Sequence, residues 1–473
     1  MSFVNRIEEL SLLQQLYESR RAELFIVYGR RRVGKTELLR YFCQERPHVF
    51  FSATQTTDKN QLADWSRLLW QHAHGQPLPD FTFPTWEASF QFLATLAGER
   101  RLVVVIDEFP YMIESNAALP SILQKLWDEN LRHTQVYLIL CGSSIGMMEQ
   151  ETLGYRSPLY GRRSGQLLLQ PLDFTSARPF LMPYDLTTEI ETYAVLGGMP
   201  AYLEQFDFSQ SLEANIIDRI LRPNRVLYDE PLFLLRTELR EPRNYFAVLQ
   251  AIAHGKTRPQ HIAQASGVGD ARMVSKYLSV LQELRLIERV VPVTETQPQK
   301  SRQGHYRLAD QFLRFWFRFL APHRSELEQG QAQLVWQNDI APQLAQFTGP
   351  VFEEICRQFL WRLARTGQPW RLPFAPQQIG AWWWKEQEVD IVALNRAEGI
   401  ILVGECKWRG RPVGNSVLAD LRQAAMPLLL QAPSAQVYYA LFAKAGFTAE
   451  LLDQAAADPT LLLYDLEMIA SPT

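Results

Sequence analysis

Cysteine is scarce in this sequence, and its spacing argues against both a disulfide framework and a structural zinc site. Cys43, Cys141, Cys356 and Cys406 lie far apart, with no C-x-x-C pair and no histidine at zinc spacing. A reduced, cytoplasmic protein is the expectation. No apolar run reaches membrane-spanning length, and Met1-Ser2-Phe3-Val4-Asn5-Arg6 lacks the apolar core of a signal peptide, so no membrane partner is expected. An excess of charge is missing too. The 48 Lys and Arg against 51 Asp and Glu leave a net charge of −3, which confines any nucleic-acid contact to local patches. The arginine clusters, Arg30 to Arg32, Arg162-Arg163 and Arg409/Arg411 among them, each also fit a solvated face. Neither an internal repeat nor a low-complexity segment breaks the 473 residues, a length that suits about three domains.

What is present starts with a strand, a glycine-bounded loop and a helix. Leu24 to Tyr28 is a short apolar run of the kind that forms a buried parallel strand. Gly29-Arg30-Arg31-Arg32-Val33-Gly34-Lys35-Thr36 then fits G-x-x-x-x-G-K-S/T, and Glu37 to Arg40 opens a helix. The two glycines let the backbone, Arg32 and Val33 included, turn successive N–H groups inward on a β-phosphate at the helix N-terminus. Lys35 can reach the β- and γ-phosphates, and the Thr36 hydroxyl can ligate Mg2+. ATP binding is therefore expected.

Leu102 to Ile106 is a second buried strand, ending in Asp107-Glu108 at the edge where open parallel sheets bind ligands. Asp107 is suited to hold Mg2+ through water, and Glu108 to polarise the water that attacks the γ-phosphate. A third strand, Val136 to Leu140, leads into Cys141-Gly142-Ser143-Ser144. Ser143 is the first choice for a γ-phosphate sensor and Ser144 the second; a turn serine capping the helix at Ile145 to Met148 is the structural alternative. Leu159-Tyr160-Gly161-Arg162-Arg163 precedes a strand at Gln166 to Gln170. Arg162 or Arg163 could touch phosphates within the chain or in a neighbouring subunit, or form a surface salt bridge. The His72-x-His74 pair fits a solvated helix end over a metal site.

These stretches together resemble the prokaryotic archaeal-type ATPase family of the STAND branch of AAA+ proteins. The resemblance implies an adenine contact at Val4 to Arg6, where Asn5 stands for the family's glycine and Ile7 for its first acidic residue. Asparagine tolerates unusual backbone angles nearly as well as glycine. Leu196-Gly197-Gly198-Met199-Pro200 is similar to the G-x-P element of the family's helical lid, which implies that Pro200 packs on the adenine.

Past the lid, helical periodicity from Tyr245 to Ala253, a short helix from Arg258-Pro259 through Ala265, and a third from Ala271 to Leu284 with Asp270 as N-cap precede two strands. Val290 to Val293 and His305 to Leu308 flank a polar segment and predict a winged helix-turn-helix. Arg272, Ser275, Lys276 and Ser279 are its outward candidates, with Lys300 and Arg302 in the wing. Packing against the nucleotide-binding part and direct base reading are both open. Asp310 to Leu320, strongly aromatic, suits a core or an interdomain seam.

The last stretch has a second chemistry. A helix is expected to begin at Gly349 to Ile355. Trp382-Trp383-Trp384, Glu388 to Leu394 and Ile400 to Trp408 then suggest strands, with Asp390 leading one and Glu405-x-Lys407 ending the next. Period-2 geometry puts Glu405 and Lys407 on one face beside Asp390. Two carboxylates and the Cys406 carbonyl suit Mg2+ or Mn2+, and Lys407 could orient a water for attack on a phosphodiester. Arg409 and Arg411 suit either backbone phosphates or a solvated loop. The stretch resembles the PD-(D/E)XK nuclease fold, in the form of the uncharacterised domain that follows many ATPases of this family. That resemblance implies a role for Glu353 as the acidic residue of the first helix, with Glu354 as its substitute.

The expected fold is α/β: a P-loop AAA+ core over 1–180, a helical lid over 181–240 and a winged helix-turn-helix over 241–321. A connector over 322–346 and a restriction-endonuclease-like domain over 347–473 complete it. The expected function is ATP hydrolysis controlling a metal-dependent nuclease, with DNA as substrate (RNA left open) and a nucleotide-dependent homo-oligomer as a partner to test. Defence or mobile-element control would follow by family analogy. The competing reading is a nucleotide-switched regulatory or DNA-binding protein whose C-terminal domain only binds a partner.

Overall fold

The computed structural model describes residues 5–98, 100–239, 241–367 and 371–471; Val4 lies outside the described residues. The chain divides into two compact units, Met1–Pro171 and Leu172–Thr473.

The first unit is built on a five-stranded sheet of β1 (Glu23–Tyr28), β2 (His48–Ser52), β3 (Leu102–Asp107), β4 (Val136–Gly142) and β5 (Gly165–Leu168). All pairings are parallel, in the order β2-β3-β4-β1-β5. The inner strands β1, β3 and β4 are buried along their whole length, because helices cover both faces of such a sheet, and this is why they read as unbroken apolar runs. The edge strands β2 and β5 are partly exposed. β5 starts one residue and ends two residues before the expected Gln166 to Gln170. The helices Asp58–His74 and Trp86–Ala97 are capped by Thr57 and Thr85 and press Trp65 and Phe90 together, ring centroids 5.6 Å apart. Because β1, β4 and β3 are neighbours, the loops after them open on one edge of the sheet.

In the second unit, the helix Leu186–Leu196 runs into Gly197-Gly198. A side chain at Gly198 would place its Cβ 1.7 Å from the Leu172 carbonyl oxygen, so only glycine permits that approach. The helices Pro242–Ala253, Pro259–Ser266 and Ala271–Glu283 follow. Asp270 caps the third by accepting the Met273 N–H at 2.8 Å. An antiparallel ribbon of β6 (Ile287–Val290) and β7 (His305–Leu308) comes next. β6 lies three residues before the expected Val290 to Val293, for a physical reason. Pro292 has no N–H for a ladder, and the Val293 N–H goes instead to Ala381 at 3.0 Å. The aromatic segment is core: Phe312, Phe315, Trp316 and Phe317 are buried, and the Trp316 indole N–H donates to the Tyr228 carbonyl at 2.7 Å.

The helix expected from Gly349 begins at Leu344 and runs to Thr366, with Pro350 inside it. Burial of Leu344, Phe347, Thr348 and Val351 overrides the one hydrogen bond a proline removes. The second sheet is mixed, with β8 (Gln378–Trp384), β9 (Gln387–Asn395), β10 (Ile400–Lys407), β11 (Gln436–Ala443) and β12 (Leu461–Asp465) in the order β12-β11-β10-β9-β8. β8, β9 and β10 pair antiparallel, and β10, β11 and β12 pair parallel. The helix Asn415–Leu429 packs Val417, Leu421 and Leu428 on Val392, Leu394, Ile401 and Val403. Among the described residues no helix is long and apolar enough to cross a membrane.

Candidate functional site

Two acidic constellations stand out, one in each unit. In the first, Gly29 approaches the chain so closely that a Cβ would lie 2.5 Å from the Leu169 carbonyl oxygen. Arg32 and Gly34 hold positive φ, 68° and 95°, a conformation that costs a non-glycine residue about 1–2 kcal/mol and so marks a loop shaped for a purpose. Lys35, buried at the start of the helix Lys35–Cys43, donates to the carbonyls of Gly29 at 2.8 Å and Arg30 at 3.0 Å. Burial lowers its pKa, against the pull of Cys141, Glu108 and Asp107. The ammonium thus lies across the mouth of its own loop, on neutral acceptors that an anion would outcompete.

Thr36 Oγ1 donates to Asp107 Oδ2 at 2.7 Å, so the expected hydroxyl and carboxylate meet. Glu108, at φ 54°, points its Oε2 at Ser143, which donates from Oγ at 2.8 Å and from its backbone N–H at 3.2 Å. Ser144 starts the short helix after it without a side-chain cap. The serine that the strand end presents to the acidic pair is therefore Ser143. Arg6, at φ 74° and buried, donates to the Val33 carbonyl at 3.0 Å and to Glu9 at 2.9 Å; it braces the loop from behind. Arg162 forks onto Asp128 at 2.7–3.0 Å, and Arg163 donates to the Leu153 carbonyl at 2.9 Å. Those hydrogen bonds run within the residue 128–163 segment, not to the loop. Pro200 belongs to the second unit, at the first position of the helix Pro200–Leu203.

The second constellation sits where the β9–β10 ladder opens. Its last pair is Ile391–Gly404. One step on, the Asp390 carboxylate takes the place of a ladder acceptor: its Oδ2 receives the Cys406 N–H at 2.9 Å. Arg357, from the helix Leu344–Thr366, donates to the Asp390 carbonyl at 2.9 Å. The two backbone groups are thus satisfied, and the strand end carries Asp390, Glu405 and Lys407 side by side. Lys407 is ion-paired with Glu405 and one-third exposed, so solvent reaches it. Glu354 is tied to Arg357 at 3.0 Å, whereas Glu353 is 3.8 Å from the same guanidinium and faces Asp390. Burial and then Asp390 push Glu353 up to about 7. Burial likewise raises Asp390, Glu388 and Glu405, with Asp390 adding to the last two. Burial opposes the Lys407 ammonium, but Glu405 and Asp390 carry its pKa above the ordinary value.

Two further residues contribute to this site, Glu388 and Arg357. Glu388 is two residues before Asp390 and so shares its face; that period was a usable signal. Arg357, four residues after Glu353, had none. Cys356 and Cys406, distant in sequence, meet thiol to thiol behind the strand.

Among the described residues, no group of three or more His, Cys, Asp or Glu is arranged to hold a metal ion. The donors fit a hard cation in another way. Thr36 with Asp107 supplies two oxygens 2.7 Å apart, and the carboxylates around Asp390 are raised chiefly by burial, a cost that the charge of a divalent ion would offset. On the helix Ala271–Glu283, Arg272, Ser275, Lys276 and Ser279 are exposed, as are Lys300 and Arg302.

Residues 3–206 match the family described as an ATPase domain predominantly from Archaea. Residues 316–417 match a family of archaeal and bacterial proteins of unknown function. An uncharacterized protein of Methanocaldococcus jannaschii is 32% identical over 472 residues, 98% of this chain and 99% of that one. An uncharacterized ATP-binding protein of the same organism is 50% identical over 44 residues, 9% of this chain and 75% of its own. Among solved structures, the Walker-type ATPase paby2304 of Pyrococcus abyssi superposes with a TM-score of 0.52 at 23% identity, over 67% of this chain and 96% of that one; the likeness is one of fold.

Proposed function

This chain belongs to the family of its Methanocaldococcus jannaschii relative, and it carries an ATPase domain over residues 3–206 and a domain of unknown function over 316–417; we propose that it is an ATPase that controls a metal-dependent nuclease acting on DNA. The observation that carries the proposal is the meeting of Glu353, Asp390, Glu405 and Lys407 at the opened β9–β10 ladder.

In the first unit, Lys35 and the backbone of Gly29 to Thr36 would hold the β- and γ-phosphates of ATP, and Asp107 and Thr36 would hold Mg2+. Glu108 polarises the attacking water, and Ser143, bonded to Glu108, senses the γ-phosphate. Arg6 positions the loop, with Val4 and Pro200 assigned to the adenine. Arg162 or Arg163 would have to leave Asp128 or Leu153 to act on phosphate.

In the second unit, the region 241–321 is read as a winged helix-turn-helix, between a lid over 181–240 and a connector over 322–346. Residues 347–473 are read as a PD-(D/E)XK nuclease-like domain. Asp390, Glu405 and the Cys406 carbonyl would hold Mg2+ or Mn2+. A divalent ion bound there supplies a Lewis acid and an activated water. Lys407 orients the nucleophile once Glu405 turns from it, and Glu353, its pKa raised by burial and Asp390 to about 7, can carry a proton to or from the site. ATP turnover shifts the lid and winged helix, and a nucleotide-dependent homo-oligomer is the form in which that shift would be read out.

The test is plasmid cleavage by the purified chain with Mg2+ or Mn2+, with and without ATP. Asp390→Ala and Lys407→Ala are expected to abolish it; cleavage that survives both would sink the assignment. A second reading, a nucleotide-switched protein that only binds a partner, is favoured by the Lys407–Glu405 pair, which occupies both side chains. Absence of Mn2+ binding, with nucleotide binding intact, would select it.

A further inference from the structure

The helix Leu344–Thr366 carries Glu353 and Arg357 into the acidic site, and its first two turns line something else. A cavity of about 350 Å3 lies between the end of the helix Pro242–Ala253, the aromatic helical segment and Gln343 to Pro350. Its lining includes Arg314, Arg318 and His254, and among the described residues that line it none is acidic.

Arg314 is the unusual member. Its hydrogen bond goes to the Phe347 carbonyl at 2.9 Å, and its guanidinium lies 4.3 Å from the Phe347 ring centroid. Both partners are uncharged. Burial, together with Arg307 and Arg318, pulls its pKa down to about 10, only partly countered by Glu353. Arg307, by contrast, has a carboxylate partner in Glu288 at 2.6 Å. Arg318, four residues on, is exposed and donates to Gln343 at 2.9 Å. Two guanidiniums one helical turn apart, with an imidazole and neutral glutamines around them, form a lining of one sign. A guanidinium withdrawn from water with its hydrogen bond on an uncharged carbonyl is costly to bury, and its forked donors match phosphate oxygens.

We infer that this cavity is a phosphate-binding pocket for a nucleoside phosphate, separate from both the triphosphate loop and the carboxylate cluster. Arg314 and Arg318 hold the phosphate oxygens, and Gln346 offers its amide at the rim. The volume exceeds that needed for a bare phosphate and lies at the small end of ligand sites. The same chemistry is offered by a free mononucleotide and by one nucleotide of a strand. The pocket does not depend on the carboxylates cutting anything.

The test uses the full chain carrying Lys35→Ala, which silences the triphosphate loop, in EDTA, which stops metal chemistry. The probe is a fluorescein-labelled, 5′-phosphorylated tetrathymidylate followed by anisotropy, with dTMP and inorganic pyrophosphate as competitors. Arg318→Gln and Gln346→Glu change exposed side chains and leave the fold intact. Each is expected to weaken binding about tenfold, the worth of one charge-assisted hydrogen bond. Arg314→Gln is expected to weaken it further. Tight probe binding displaced by pyrophosphate assigns a strand, whereas binding of dTMP with none of the probe assigns a free nucleotide; both support the pocket. Binding of neither, or binding unchanged by Arg318→Gln and Gln346→Glu, overturns it. Because no cleavage is measured, a failed nuclease reading and a failed pocket give different results.

Discussion

The two acidic sites solve the same problem in opposite ways. Asp107 and Glu108 end a fully buried parallel strand, and each is matched by a hydroxyl: Thr36 for the first, Ser143 for the second. Asp390, Glu405, Glu388 and Glu353 instead crowd one another, with Lys407 and Arg357 among them, and burial raises all four. A carboxylate held by a neutral donor that can rotate away is poised for exchange. A cluster of raised carboxylates is stabilised by whatever positive charge arrives. On the proposed function, the first arrangement suits ligand turnover and the second suits a cation.

The largest effects are expected at the triphosphate loop. Lys35→Ala is expected to lower ATP hydrolysis by at least about 100-fold, read as phosphate release; near-normal turnover would refute the loop's role. Glu108→Gln should cost about 100-fold in the same assay while calorimetry shows nucleotide affinity retained. A parallel loss of affinity would instead make Glu108 a binding residue. Ser143→Ala removes one hydrogen bond to Glu108, worth about 1 kcal/mol, so a fall of about fivefold separates support of Glu108 from a bystander serine.

The second site is sharpened by stability. Without divalent ions, Asp390→Asn relieves the crowding and should raise the unfolding temperature by about 2 °C, while abolishing stabilisation by Mn2+. The pH dependence carries its own sign. Glu353 ionises near 7 in the folded chain against an ordinary 4.5, so the folded state binds the extra proton. Its contribution is complete below about 4.5 and lost as pH rises through 7. Thermal unfolding between pH 5 and 8 should therefore drop, with a shallower slope for Glu353→Gln and in the presence of Mn2+. An equal slope in the variant would show that Glu353 is not the titrating group.

Much of this was legible in residue order, and the exceptions have physical causes. The Gly29 to Thr36 loop, the Asp107-Glu108 strand end and the β9–β10 pair needed only local spacing. The first strand of the ribbon was displaced because Pro292 cannot pair and Val293 is drawn to Ala381. The long helix began five residues early because burial of Leu344 and Phe347 outweighs Pro350. Arg357 was invisible because its value lies in the Asp390 carbonyl it satisfies, 33 residues away.

Sequence alone determined where phosphates and water-activating carboxylates could be placed, since glycine, lysine and acidic residues at fixed spacing on a strand–loop–helix admit few geometries. Tertiary structure decided the partners. It set Ser143 on Glu108 and Arg162 on Asp128, turned Glu353 rather than Glu354 toward Asp390, and brought Cys356 to Cys406. Those choices depend on side chains meeting across the fold, where distance along the chain carries no information.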